Sequence, residues 1–102
     1  MTSAGETPGE APGRYILKLY VTGLTTRSAR AIENLQVLCQ KHLPGRYELQ
    51  VIDVYQQPEL ARTEQVVAIP TLIKKLPLPL RRLIGDMSDE ARVLVGLDIL
   101  PH

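Results

Sequence analysis

Val66-Val67-Ala68-Ile69-Pro70-Thr71-Leu72-Ile73 is an apolar run broken by one proline. Proline lacks the N–H that a central strand must donate, so it suits the first position of a strand and not its middle. The residues after it, Thr71, Leu72 and Ile73, favour β structure, which predicts a strand starting at the proline. A cis bond between Ile69 and Pro70 fits such an entry. What this strand belongs to is decided by the segments on either side.

Downstream, Lys74 to Leu83 contains Pro77 and Pro79 and reads as a hairpin connection returning on Arg81-Arg82-Leu83-Ile84. Gly85-Asp86 is a turn, and Ser88-Asp89-Glu90 starts a helix with acidic residues at its positive end. The stretch from Ala91 to Leu100 is ambiguous. As a helix it carries β-branched residues and an interior glycine, Gly96, which costs about 1 kcal/mol relative to alanine. As a strand it alternates, with Val93, Val95, Leu97 and Ile99 on one face and Leu94, Gly96, Asp98 and Leu100 on the other. Both periods fit, which predicts a segment with two nearly balanced conformations. Gly96→Ala should favour the helix, and Asp98→Arg should push the same way by placing a cation near its C-terminus.

Upstream, Pro58 opens a short helix through about Gln65. Tyr47 to Val54 reads as a strand whose apolar end, Val51-Ile52 and Val54, is expected of an inner position. Before it, Ala31, Ile32, Leu35, Leu38, Cys39 and Leu43 recur at helical spacing, with Arg27, Arg30, Glu33, Gln36 and Gln40 opposite. Gly23-Leu24-Thr25-Thr26 turns into this helix, with Thr25 or Thr26 as its cap, and Pro44-Gly45 ends it. Tyr15, Leu17, Leu19 and Val21 alternate with Ile16, Lys18 and Tyr20 in a first strand parallel to the second. Residues 1–13 (MTSAGETPGEAPG) have almost nothing to bury and read as a disordered tail. The result is one α/β domain over residues 14–102 in the order βαβαββα, which is the thioredoxin-like arrangement. Ile69-Pro70-Thr71-Leu72 resembles the cis-proline loop of that superfamily.

A chain of 102 residues supports one modest core, filled by Leu, Ile, Val and four tyrosines because tryptophan and phenylalanine are absent. The net charge of +1 gives no global field favouring nucleic acid or an anionic membrane. No apolar run approaches the roughly 20 residues of a membrane span, and the N-terminus lacks a signal-peptide pattern. One cysteine excludes an intrachain disulfide and a Cys-x-x-Cys pair, and fits a reducing, cytoplasmic setting.

A redox thioredoxin carries its reactive pair at the start of the first helix, where the dipole lowers the thiol pKa. Here that position is Thr25-Thr26-Arg27-Ser28, and Cys39 lies on the apolar stripe as a small hydrophobe. His42 and His102 have no ligand partners at metal spacing and read as solvated residues. No phosphate loop and no nucleophile–base–acid set is present, so neither catalytic residue nor cofactor is expected. What stands out is Lys74, Lys75, Arg81 and Arg82: four of the twelve Lys and Arg residues within nine positions and no acid among them. Strand pairing is expected to gather them into a positive patch for an acidic partner. Nucleic acid is disfavoured because no aromatic residues interleave.

Taken together, several stretches resemble the KaiB family of circadian clock proteins. They are Tyr15–Val21 (YILKLYV), Gly23, Ser28, Arg30, Val51-Ile52-Asp53-Val54, Pro58, Leu60-Ala61, Pro70-Thr71-Leu72 and Leu76-Pro77. Arg81-Arg82, Ile84-Gly85-Asp86 and Val95-Gly96-Leu97-Asp98 complete the set, and the match runs from Tyr15 to about Leu100. The resemblance implies a non-enzymatic regulator that binds the N-terminal ATPase ring of a KaiC-type protein. It implies a metamorphic chain: a tetrameric ground state of order βαββααβ whose C-terminal half rearranges into a monomeric, partner-bound thioredoxin-like fold. Partner binding is expected at Lys74, Lys75, Arg81, Arg82 and Gln65, and switching at Pro70, Pro77, Pro79, Gly96 and Asp98. Further partners implied are a sensor histidine kinase and KaiA. Against KaiA, Glu48 and Gln50 stand where clock members carry Ala and Lys, and Leu24-Thr25-Thr26-Arg27 replaces their Asn-Thr-Pro-Asn turn. The competing reading is a redox-inactive sensor module of a signalling kinase, disfavoured because no kinase region follows Leu100.

Overall fold

The computed structural model describes residues 14–23 and 25–99. The expectations for the 1–13 tail, for Leu24, for Leu100 and for His102 lie outside them. Within these bounds the order is β1 (Tyr15–Val21), α1 (Thr26–His42), β2 (Tyr47–Asp53), α2 (Pro58–Thr63), β3 (Thr71–Leu76), β4 (Arg81–Ile84) and α3 (Glu90–Gly96). The four strands form one sheet in the order β2-β1-β3-β4. β1 pairs parallel with β2 and antiparallel with β3, and β3 pairs antiparallel with β4. This is the thioredoxin-like arrangement expected from the sequence.

Period-two alternation in β1 builds two cores. Tyr15, Leu17, Leu19 and Val21 pack with Leu35, Leu38 and Cys39 of α1 and with Val93 and Leu97 on the same side of the sheet. Tyr20 faces the other way, with Ile52 and Ile73, under Leu60 and Ala61 of α2. The sheet is therefore a middle layer, with α1 and α3 on one face and α2 on the other. Removing side chains the size of Leu17, Leu19 and Leu35 from water contributes about 1.5–3 kcal/mol each. The larger core, under α1, is the principal source of stability.

Local signals account for most boundaries. Thr25 caps α1, its Oγ1 accepting from the Ser28 N–H at 3.2 Å. α1 stops at His42, and the turn after it is completed by Gly45 at φ +70°, which glycine adopts without a Cβ penalty. Asp89 caps α3 by accepting from the Arg92 N–H. The bonds Ile69–Pro70, Leu76–Pro77 and Leu78–Pro79 are cis. Between Pro70 and the strand, the Thr71 hydroxyl donates to the Ala68 carbonyl.

Three expectations change. β2 is an edge strand and not an inner one: its neighbour is β1 alone, and Val51 is 40% exposed. The hydrophobic end of β2 reflects Ile52, which reaches the smaller core, so composition overstated how much of the strand is covered. α2 ends at Thr63, before Gln65, because Gln65 takes a left-handed φ of 56° that terminates the helical turn. Ala91 to Ile99 resolves as helix and turn in this fold: Val93 and Leu97 are buried while Val95 is 78% exposed.

Candidate interaction surface

Where a redox thioredoxin would present thiols, the side chains are used for structure. Thr25 caps the helix, and the buried Ser28 Oγ accepts from the Thr22 N–H at 3.1 Å. Cys39 sits on the inner face of α1, fully covered, and burial pushes its thiol pKa up to about 12. Since the thiolate is the reactive form, Cys39 is inert at neutral pH. Folded protein at pH 8 should resist iodoacetamide for hours, whereas denatured protein should be labelled within minutes. Cys39→Ala should cost about 1 kcal/mol through the small cavity it leaves. Rapid labelling of the folded chain would contradict this placement.

The β3–β4 hairpin carries the four predicted cations, but not as one patch. Lys74 and Arg81 are cross-strand partners on the α1 side of the sheet, and both reach Asp98. Lys74 Nζ lies 3.3 Å and Arg81 Nε 2.9 Å from the same Asp98 Oδ2. Lys74 is itself 0% exposed, its ammonium 5.9 Å from the centre of the Tyr15 ring. Tyr15 donates its hydroxyl to the Asp98 carbonyl at 3.2 Å, so one residue beyond α3 is held by three side chains.

On the opposite face, Lys75 Nζ pairs with Glu64 Oε1 at 2.6 Å, with Lys18 Nζ 3.9 Å from the same oxygen. Arg82 donates to the Glu64 backbone carbonyl. The four cations are thus divided two and two, each pair engaged by one acidic residue. The expected single patch is corrected for a simple reason. Alternation along β3 and β4 sends neighbouring residues to opposite faces. Leu72 and Lys74 share one face, and that spacing was legible in the sequence. The acidic partners were not, since Glu64 and Asp98 lie in turns distant from the hairpin in sequence.

Arg82 and Gln65 are brought together along a shallow groove of about 240 Å³, flanked by Val67 and Ile84. Val67 is 92% exposed, and at the hairpin tip Leu78 and Leu80 are also exposed. Among the expected binding residues, Gln65, Arg81 and Arg82 are therefore open to a partner, Lys75 is partly covered and Lys74 is not accessible. Among the expected switch residues, Asp98 adopts a left-handed φ of 57° immediately after the α3 cap, and Gly96 is the last helical residue. His42, expected to be merely solvated, instead places Nε2 2.5 Å from Glu90 Oε2, tying the end of α1 to the start of α3.

The pairing of Asp98 has a pH signature. Hydrogen bonds from Arg81 and then Lys74 hold its carboxyl below the usual carboxylate range. A carboxylate depressed in the folded state stabilises above its unfolded pKa, about 3.9, and that contribution is lost as pH falls through the folded value. Glu90, held low by His42 and then Lys41, acts in the same direction. Denaturant titrations should show stability falling as pH drops below about 4, with a shallower fall for Asp98→Asn. An identical acid profile for the two proteins would remove Asp98 from the ionic contacts.

Comparison with known proteins gives a consistent result. The KaiB domain matches residues 18–99. The circadian clock protein KaiB3 of Synechocystis sp. is 50% identical over 89 residues, covering 87% of each chain. The circadian clock oscillator protein KaiB of Synechococcus elongatus is 52% identical over 86 residues, 84% of each chain. Among solved structures, the N-terminal domain of Synechococcus elongatus SasA matches with a TM-score of 0.69 at 23% identity, over 95% of this chain and 94% of that one. The thioredoxin Deadhead of Drosophila melanogaster matches at 0.69 and 18% identity, over 88% and 84%. At such identities these two likenesses concern the fold alone.

Proposed function

The chain belongs to the KaiB family, and on that premise we propose that it is a non-enzymatic clock-type regulator docking on a KaiC-type ATPase in the thioredoxin-like state described above. The observation that carries the reading is the contact of Asp98 with Lys74 and Arg81. It ties the C-terminal segment, whose sequence supports two periods, to the hairpin that faces a partner. A rearranged C-terminal half would withdraw Asp98 and leave Lys74 without its counter-ion, so hairpin and segment change state together. Binding then selects the state in which both are in place. If that state were populated at 1%, the apparent affinity would fall roughly a hundredfold from the intrinsic one.

In this reading the partner meets the exposed residues, Gln65, Arg81 and Arg82 with Leu78 and Leu80, and Lys74 acts from beneath. Arg82→Glu combined with Lys75→Glu is expected to weaken binding to the KaiC-type protein of the same organism at least tenfold and to flatten its salt dependence. Binding is measured by biolayer interferometry at low and high salt, with oligomeric state by analytical ultracentrifugation. Unchanged affinity at both salts would move the contact away from the hairpin. No binding by wild type in any oligomeric state would remove the KaiC-type partner altogether.

A further inference from the structure

A cavity of about 520 Å³ opens between the first turn of α1 and the start of α3, at the position where redox thioredoxins carry their thiols. Its rim bears Arg27 and Arg30, three residues apart on α1, and Arg92 on α3. Among the described residues neither Arg27 nor Arg30 is paired with a carboxylate, in contrast to Lys74, Lys75 and Arg81 of the hairpin. Arg92 gives one Nη2 contact to the Ile84 carbonyl at 3.3 Å.

Two carboxylates share the rim, and both are engaged by the main chain. Asp86 Oδ1 accepts from the Ser88 N–H and Asp89 Oδ1 from the Arg92 N–H, each at 3.1 Å. Three guanidinium groups against two carboxylates leave the rim with uncompensated positive charge. That charge is felt at the rim: the Asp86 carboxyl is lowered first by its Ser88 hydrogen bonds and further by Arg27 and Arg30. Guanidinium forks match phosphate oxygens in shape as well as charge.

We propose that this cavity binds a small organic phosphate, with Arg27, Arg30 and Arg92 holding the phosphate. The volume decides between a bare anion and a larger ligand. A phosphate alone would fill a small part of it, whereas small-molecule sites commonly span about 300–1,000 Å³. Buried Met87 and Val93 offer an apolar floor with Ile84 at the rim, against which the organic remainder lies. The site shares Ile84 with the hairpin groove but none of the four hairpin cations, and it does not depend on the identity of the protein partner.

The test is an amide NMR titration of the full chain with sodium pyrophosphate and with ADP at constant ionic strength. Saturable shifts are expected at Arg27, Gly85 and Asp86, with ADP binding more tightly than pyrophosphate. Arg27→Gln combined with Arg30→Gln should weaken ADP at least tenfold, as should Arg92→Gln, while Lys75→Gln leaves it unchanged. Arg27 and Arg30 are exposed, so their variant stays informative if Arg92→Gln alters the fold. Absence of saturable shifts, equal shifts with sodium chloride, or unchanged binding by the arginine variants would overturn the site. Pyrophosphate binding as tightly as ADP would overturn the organic-phosphate assignment.

Discussion

Lys74→Glu is expected to destabilise the thioredoxin-like fold by about 3 kcal/mol, the low end of the cost of leaving an uncompensated buried charge, because Lys74 is covered while Asp98 is 41% exposed. The side chain is 1% exposed, in contact with Asp98 Oδ2 and over the Tyr15 ring. Glutamate there would bury an anion against Asp98 with Arg81 alone to serve both. Lys74→Met should cost far less, because the aliphatic stem is retained and no like charge is introduced. The loss for Lys74→Met should shrink further in an Asp98→Asn background, as expected when both members of a pair are replaced. Guanidinium unfolding of Lys74→Glu, Lys74→Met, Asp98→Asn and the Lys74→Met/Asp98→Asn double variant measures this directly. It also changes how binding data are read: lost partner affinity in Lys74→Glu would report lost fold, whereas Lys75 and Arg82 probe the surface. Near-neutral Lys74→Glu would mean that the pair does not hold the C-terminal segment.

Gly96→Ala should behave differently alone and beside a truncated Leu83. Helix propensity favours alanine by about 1 kcal/mol. A Cβ at Gly96, however, would lie 2.5 Å from Leu83 Cδ2 and 2.9 Å from Cδ1, so the β4 leucine must move. Overpacking of this kind costs about 1–3 kcal/mol, which offsets the helical gain. Stability of the single variant is therefore expected about 0–2 kcal/mol below wild type, with a coupling of about 1–3 kcal/mol between Gly96→Ala and Leu83→Ala. Additive effects would show that Leu83 turns aside without cost. Leu83 is half-buried against the core formed with α3, so the contact links β4 to the C-terminal helix. The helical gain expected at Gly96 thus meets an opposing contact that no local rule contains. Asp98→Arg, favourable by the dipole argument alone, loses both ion pairs in this fold.

The amino-acid order by itself determined the elements and most of their ends. Tyr15 to Val21 alternates, so its two faces were separable before any fold was known. Thr25 and Pro44-Gly45 bracket α1 through capping chemistry that acts within a few residues. Pro70 sets the entry to β3 because proline cannot donate to the ladder. These are short-range interactions, and a linear chain carries them in full.

Tertiary structure alone decided which charges meet. Lys74 and Asp98 are 24 residues apart, Lys75 and Glu64 11, and His42 and Glu90 48. It also decided that β2 lies at the edge, that Leu83 stands over Gly96, and that Arg27, Arg30 and Arg92 share one cavity. None of these follows from propensity or periodicity, because each depends on the register and layering of strands brought together from separate parts of the chain. The last segment is the clearest case. Val93 to Ile99 satisfies both periods, and helix is selected in this fold where Val93 and Leu97 find a core and Asp98 finds two cations. Local preferences there nearly cancel, so long-range packing and pairing settle the conformation.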